Sequence, residues 1–324
     1  MNLSSLIENK SSLFKISFYF YAMIIPPYLQ KGDTIGILCP SGFMPFEKAE
    51  TCIKTLKKWG FNISIGKTLG HQFHYFSGTD EERINDLQQM LDDKTIKAIL
   101  CARGGYGLSR MIDKIDFKKF KQNPKWVIGF SDITVLHSYI NNKLKIASLH
   151  SPMAGAFNEG GATNEFIQSL HKALTGKKLK YSCEANSYNR IGTATGGLIG
   201  GNLALLAHAV GSPWDMETKN KILFVEDTGE YLYNIDRMLL QLKHAGKLKS
   251  LSAFIVGGFT DMKDTTTPFG QNIYEIIWDK VKEYDYPVCF DFPVAHSANN
   301  FALKTGIMHK LIVAKNKVML EELR

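Results

Sequence analysis

A serine hydroxyl attacks a carbonyl only if a base removes its proton and a third group orients that base. The stretch Trp126-Val127-Ile128-Gly129-Phe130-Ser131-Asp132 offers such a serine. An apolar run stops at a glycine, and an apolar-periodic segment begins directly after Asp132, so Ser131 falls in a tight strand-to-helix turn. A turn of this kind exposes the hydroxyl and aims the first helical N–H groups at the same point, where an oxyanion can be held. The pattern is weaker than the G-x-S-x-G elbow, because Ile133 replaces the second glycine. A plain N-cap serine followed by an acid in the first turn fits the same residues equally well.

Arg103-Gly104-Gly105-Tyr106-Gly107 supplies a second element. Paired glycines after a buried strand let backbone N–H groups approach a ligand closely. The spacing matches neither G-x-G-x-x-G nor a Walker loop, so an oxyanion donor at Gly105 suits this stretch better than a phosphate cradle. Arg103 can clamp a carboxylate bidentately or sit in a structural ion pair. For the base, His296 lies in an irregular loop of small polar residues after a strand and a proline, a place where function is affordable. His150 ends an apolar strand and is placed to line a site; His137 packs locally on the helix after Ser131. His208, inside Leu203–Val210, reads as a core residue, and His71, His74, His171 and His244 as surface residues. Glu226 and Asp227 end the apolar run from Lys221, and Glu230 follows a turn later, so these are the candidates for the orienting acid.

The elements that would position these residues follow from periodicity. Gly32–Gly42 reads as a buried strand and a Pro-Ser-Gly turn, and the helical run from Phe46 stops at Gly60. Asn62–Leu69 alternates as a strand. Thr79 is an N-cap for a helix with acids in its first turn. Ile96–Cys101 and Trp126–Gly129 are further buried strands. Strands alternating with helices indicate βαβ units and a mostly parallel sheet, whose ligands bind beyond the strands' carboxyl ends. Both the glycine loop and Ser131 sit at such ends. Residues 23–165 are read as an N-terminal α/β domain, 166–190 as a connection, and 191–324 as a C-terminal domain whose pattern restarts from Ala194, with Gly200-Gly201-Asn202 leading into a helical run.

The 324 residues are 44% apolar and 22% charged, a globular composition. The net charge of +8 favours anionic ligands, but the lysines are scattered without interleaved aromatics, which argues against nucleic acid. Five separated cysteines, with no C-x-x-C pair, fit reduced buried thiols in a cytoplasmic protein and no zinc site. The apolar run Leu13–Ile25 is too short to span a bilayer and lacks a small-residue cleavage site. Residues 1–22 are therefore read as an extension outside the fold.

The chain resembles the LD-carboxypeptidase family of serine peptidases, which also contains the microcin C immunity peptidases. The resemblance runs from about Ile25 to about Ile312. It is carried in order by "PPYLQKGDTIGILCPSG", "FSGTDEERINDLQQMLDDKTIKAILCARGGYG", "VIGFSDIT", "LHSPM", "GGLIGGNLALL", "LFVEDTGEYLYNIDRML", "GGFTDMKD" and "FPVAHSANNFALKTG". It implies a parallel-sheet domain like those of flavodoxin and class I amidotransferases, plus a smaller β-containing C-terminal domain. It also implies a triad of Ser131, His296 and Glu226, with the backbone N–H groups of Gly105 and Asp132 as oxyanion hole. Arg103, Tyr106, His150 and Asn202 are the substrate contacts it suggests. Ala295 stands where the family often has glycine. The implied activity is metal-independent and cofactor-free: release of terminal D-alanine from a murein tetrapeptide by a homodimer. Cleavage of an aminoacyl-nucleotide antibiotic is the alternative, and "GGFTDMKD" favours the carboxypeptidase branch.

Overall fold

The structure is a computed structural model that describes residues 23–323. The extension read at 1–22 lies outside them. The chain runs β1 (Thr34–Leu38), α1 (Glu50–Lys58), β2 (Asn62–Ile65), α2 (Asp80–Asp92), β3 (Ile96–Cys101), α3 (Lys118–Gln122), β4 (Trp126–Gly129), α4 (Thr134–Tyr139) and β5 (Ser148–His150). Five of these strands form a parallel sheet in the order β5-β4-β3-β1-β2. Alternate residues of its buried strands serve opposite faces. Ile35, Ile37, Leu100 and Ile128 meet Cys52 and Leu56 of α1 on one side. Leu38, Ile99 and Val127 meet Leu87 and Leu91 of α2, with Phe120 and Leu136, on the other. Thr79 caps α2 in a capping box with Glu82, as its position in the sequence suggests.

The second half continues with α5 (Glu165–Leu174), β6 (Lys180–Glu184), β7 (Gly192–Asn202), α6 (Leu203–Ala209), β8 (Lys221–Thr228), α7 (Leu232–His244), β9 (Ala253–Thr260), α8 (Ile273–Val281) and β10 (Val288–Cys289). It closes with β11 (Leu303–Thr305), β12 (Met308–Val313) and β13 (Lys317–Glu322). The second sheet has the order β10-β9-β8-β7-β12-β13-β6, parallel from β10 to β7 and antiparallel beyond. Leu206, Leu239, Leu242, Ile276 and Ile277 of its helices cover one face. Its other face, through Leu198, Ile222, Phe224 and Ile255, joins the same apolar cluster as the first sheet. The two sheets are thus welded by a shared core.

Two readings need amendment, those of His208 and His171, and two strands pair with partners far away in the sequence. The stretch 166–190 carries a helix and a strand: Asn164 caps α5 by accepting from Phe166 and Ile167 N–H, and β6 pairs with β13 at the far end of the chain. A strand whose partner lies about 140 residues away has no local signature. Similarly, β11 leaves the second half to pair antiparallel with β5 at the edge of the first sheet. His208 is exposed, because α6 buries Leu203, Leu206 and Ala207, and position 208 faces outward. His171, by contrast, is half-buried against Trp59, ring centroids 4.4 Å apart. All five cysteines are free, and four of them are buried. No helix among the described residues is long and apolar enough to cross a membrane.

Candidate active site

Ser131 opens a short helical turn, Ser131–Ile133, that leads into α4. Its φ of +63° is left-handed, a conformation that costs a non-glycine residue roughly 1–2 kcal/mol. The turn's N-cap is Phe130, in extended conformation, and no side chain caps it. A capping serine would sit at Phe130's position in the backbone and accept a bond from the turn; Ser131 does neither. The strain holds the hydroxyl at the carboxyl end of β4, as a strand-to-helix elbow does.

The glycine loop after β3 closes over this hydroxyl. A Cβ placed on Gly104 would lie 2.9 Å from Ser131 Cβ and 3.1 Å from its Oγ, so only glycine fits there. Gly105 has φ +103°, and its N–H donates to no acceptor among the described residues. The N–H of Asp132, in the first turn, has no intrahelical acceptor either. The glycine loop and the serine turn, which meet at Gly104, thus each carry a free donor. The loop is anchored from below. Buried Asp132 accepts from Ser41 Oγ at 2.6 Å and Leu108 N–H at 2.9 Å. Burial raises its carboxyl above the usual range, opposed by those hydrogen bonds and by Arg83. Arg83, fully buried, donates to the Pro40 carbonyl at 2.8 Å and pairs with Asp80.

Glu226 lies near the carboxyl end of β8, next to buried Asp227, and is itself inaccessible. Its Oε2 bonds His296 Nδ1 at 2.5 Å. Burial pulls the imidazole pKa down, but the bond from Glu226 and the charges of Glu226 and Asp227 outweigh it, leaving the value above the ordinary 6.5. His296 reaches this position because β9 is locally irregular. Val225 pairs with Val256 and Asp227 with Phe259, so Gly257 and Gly258 together oppose Glu226. A Cβ on Gly257 would stand 2.2 Å from the Val294 carbonyl oxygen, and one on Gly258 2.6 Å from Ala295 Cβ. The loop before His296 can lie flat on the strand only over that bare pair. Ala295 has no positive φ, so the alanine there is unstrained.

Thr134, in α4 just beyond Ser131, joins the two halves: its Oγ1 accepts from Asn202 N–H at 3.1 Å, and Asn202 pairs with Glu226 across β7 and β8. Phe130, the residue before Ser131, lies 4.7 Å from the His296 ring. Both line a cleft of about 450 Å³ that also holds Arg103, Met153, Phe166 and Asn300. Arg103 Nη1 donates to the Phe43 carbonyl at 2.5 Å while the residue stays exposed. Tyr106 is 49% exposed, near Phe76, and does not line the cleft.

Two further residues expected to touch substrate do not line the cleft either. His150 is fully buried between Phe130 and Phe224 and sits behind the cleft wall. Asn202 is spent on structure: Oδ1 caps α6 at Leu205 N–H, and Nδ2 donates to Asp227 at 2.8 Å. Both lie at strand ends, as their positions in the sequence indicate, but side-chain direction there is set by packing. Thr134, Ser41, Arg83 and the Gly257–Gly258 pair escaped the sequence reading; the glycine pair closing an apolar strand was the only visible signal.

The geometry offers a strained serine, N–H groups without acceptors in its turn and in the adjoining glycine loop, and a histidine oriented by a buried carboxylate, the kinds of group acyl transfer uses. The LD-carboxypeptidase N-terminal domain family matches residues 35–151, and the LD-carboxypeptidase C-terminal domain family matches residues 195–311. A probable murein peptide carboxypeptidase of Bacillus subtilis is 32% identical over 299 residues, 91% of this chain and 94% of that protein. The chain belongs to the LD-carboxypeptidase family. It is a carboxypeptidase by that membership. The murein tetrapeptide carboxypeptidase of Pseudomonas aeruginosa is 27% identical, over 84% of this chain and 91% of that one. The crystal structure of muramoyltetrapeptide carboxypeptidase from Oxalobacter formigenes superposes with a TM-score of 0.82 at 27% identity, covering 90% and 99% of the two chains. The microcin C7 self immunity protein MccF reaches the same TM-score at 24% identity, over 93% of this chain and 99% of that chain, a likeness of fold alone.

Proposed function

We propose that this carboxypeptidase releases terminal D-alanine from murein tetrapeptides through Ser131, His296 and Glu226. The Glu226–His296 bond, with His296 on the wall of a cleft also lined by Phe130, the residue before the strained Ser131, is the observation that carries the reading. His296 takes the Ser131 proton as Oγ bonds to the carbonyl carbon of the L-centred residue. Gly105 and Asp132 N–H groups hold the oxyanion, each donor worth roughly 3 kcal/mol in comparable sites. The C–N bond then breaks, and His296 returns the proton to the departing amine. Water, deprotonated by His296, hydrolyses the acyl-serine. Arg103 in the cleft suits the carboxylates of a muropeptide, and the net charge of +8 acts in the same direction. A cytoplasmic homodimer, with a boundary between residues 23–165 and 191–324, completes the proposal.

The test is mass spectrometry of a purified murein tetrapeptide after incubation, with Ser131→Ala beside the wild type. Loss of one alanine with the wild type alone supports both substrate and nucleophile. A folded wild type that removes none sinks the muropeptide reading and directs the next assay to aminoacyl-nucleotide analogues.

A further inference from the structure

Beneath the cleft lies a pair of polar side chains that the steps above leave unused. Asn300 is 2% exposed, yet it contributes to the cleft wall four residues after His296. Its Oδ1 has no hydrogen-bond partner among the described residues. His150, which has Asn300 as a polar neighbour, is sealed, with both ring nitrogens unpartnered among the described residues. Burial holds that imidazole well below its ordinary pKa, with the nearby His137 and His296 acting in the same direction, so it is neutral; Asn300 is the polar group against it. Leaving a buried donor or acceptor unsatisfied costs about 1–3 kcal/mol, so such a cluster needs a reason.

A neutral imidazole keeps one N–H, and Asn300 Oδ1 is the unpartnered acceptor that faces it. That bond would turn the Asn300 NH2 toward the cleft and fix it there. The position is informative. His296 must protonate the departing amine, so the departing residue lies against His296. In that residue the carboxylate carbon is two bonds from the amine nitrogen, about 2.5 Å away. A terminal carboxylate must therefore fall on the cleft wall beside His296, where Asn300 lies. Lys48 and Arg103 line the same cleft, with Glu159 as its one acid.

We propose that Asn300, held by His150 beneath it, is a specificity residue whose amide N–H donates to the terminal carboxylate of the departing residue, restricting the enzyme to free chain ends. The inference rests on the activity proposed above. The test compares a murein tetrapeptide with the same peptide carrying a C-terminal amide, using wild type, Asn300→Ala and the isosteric Asn300→Asp, each checked by thermal melting. A bond to a charged group predicts a rise in KM for the acid of about tenfold to a hundredfold in Asn300→Ala, with kcat little changed and the amide hardly affected. Asn300→Asp, which brings a negative charge to the carboxylate, loses more on the acid and nothing further on the amide. Equal losses on both peptides, or a fall in kcat at constant KM, overturn the assignment, as does a wild type that does not distinguish acid from amide. That last comparison needs no variant, so misfolding of the variants does not protect the idea. A wild type that releases alanine from neither peptide removes the activity reading and this inference with it, a result distinct from an active enzyme with an unchanged acid-to-amide ratio.

Discussion

The two halves of the site are held in different ways. Around Ser131 the backbone decides: a left-handed φ at the serine, a glycine at 104 that makes room, and an Asp132 carboxylate tying the loop to Ser41 and Leu108. Around His296 contacts decide: a buried acid on β8, a flat glycine pair on β9, and a half-buried imidazole in a loop laid across them. A backbone-built half is strained but local, folding with β4 and α4. A contact-built half carries no such strain at the histidine but depends on three segments arriving together. Thr134 and Asn202 connect the two, so a displacement of either half is felt by the other.

The largest expected effect breaks the first half only. Ser131→Gly removes the hydroxyl and relieves the positive φ, so turnover falls by about 10⁶-fold while unfolding free energy rises by about 1 kcal/mol. Denaturant titration beside the peptide assay checks both; a less stable glycine variant would mean that the serine conformation is not strained. Next comes Glu226→Gln, expected to lower turnover by about 10⁴-fold. It also moves the pH profile. In the wild type the working neutral imidazole prevails only above a raised pKa, so kcat/KM climbs with pH through a value above 6.5. With the carboxylate gone, burial dominates and that limb shifts to lower pH; a limb that stays in place would separate His296 from Glu226. The smallest is Gly257→Ala. Its methyl meets the Val294 carbonyl, and pushing the His296 loop by about 1 Å costs about a hundredfold in kcat. Full activity in that variant would show that the strand does not set the loop's height.

Much of the first half was legible because its determinants are neighbours in sequence. Gly129 to Asp132 and Arg103 to Gly107 each carry their own turn chemistry, and a mostly parallel sheet follows from alternating elements. The N-cap reading of Ser131 stayed open until the φ was known, since a nucleophile and a cap use the same residue types. The second half was legible mainly by resemblance. Nothing near Glu226 says which of two adjacent buried acids meets the histidine. Glu226 takes His296, whereas Asp227 serves Asn202 and the α6 backbone and is pushed by burial to a pKa of about 6.

The sequence by itself therefore determined the strand and helix menu, the serine in its turn and the glycines beside it, because these follow from local sterics and periodicity. Tertiary structure alone decided that β6 pairs with the distant β13, that β11 joins the first sheet and that Asn202 turns to Asp227. It also decided that His150 lies sealed between Phe130 and Phe224 and that His296 lands on Glu226. Those outcomes depend on side-chain direction and on contacts between segments tens to more than a hundred residues apart, which packing fixes only once the shared core has closed.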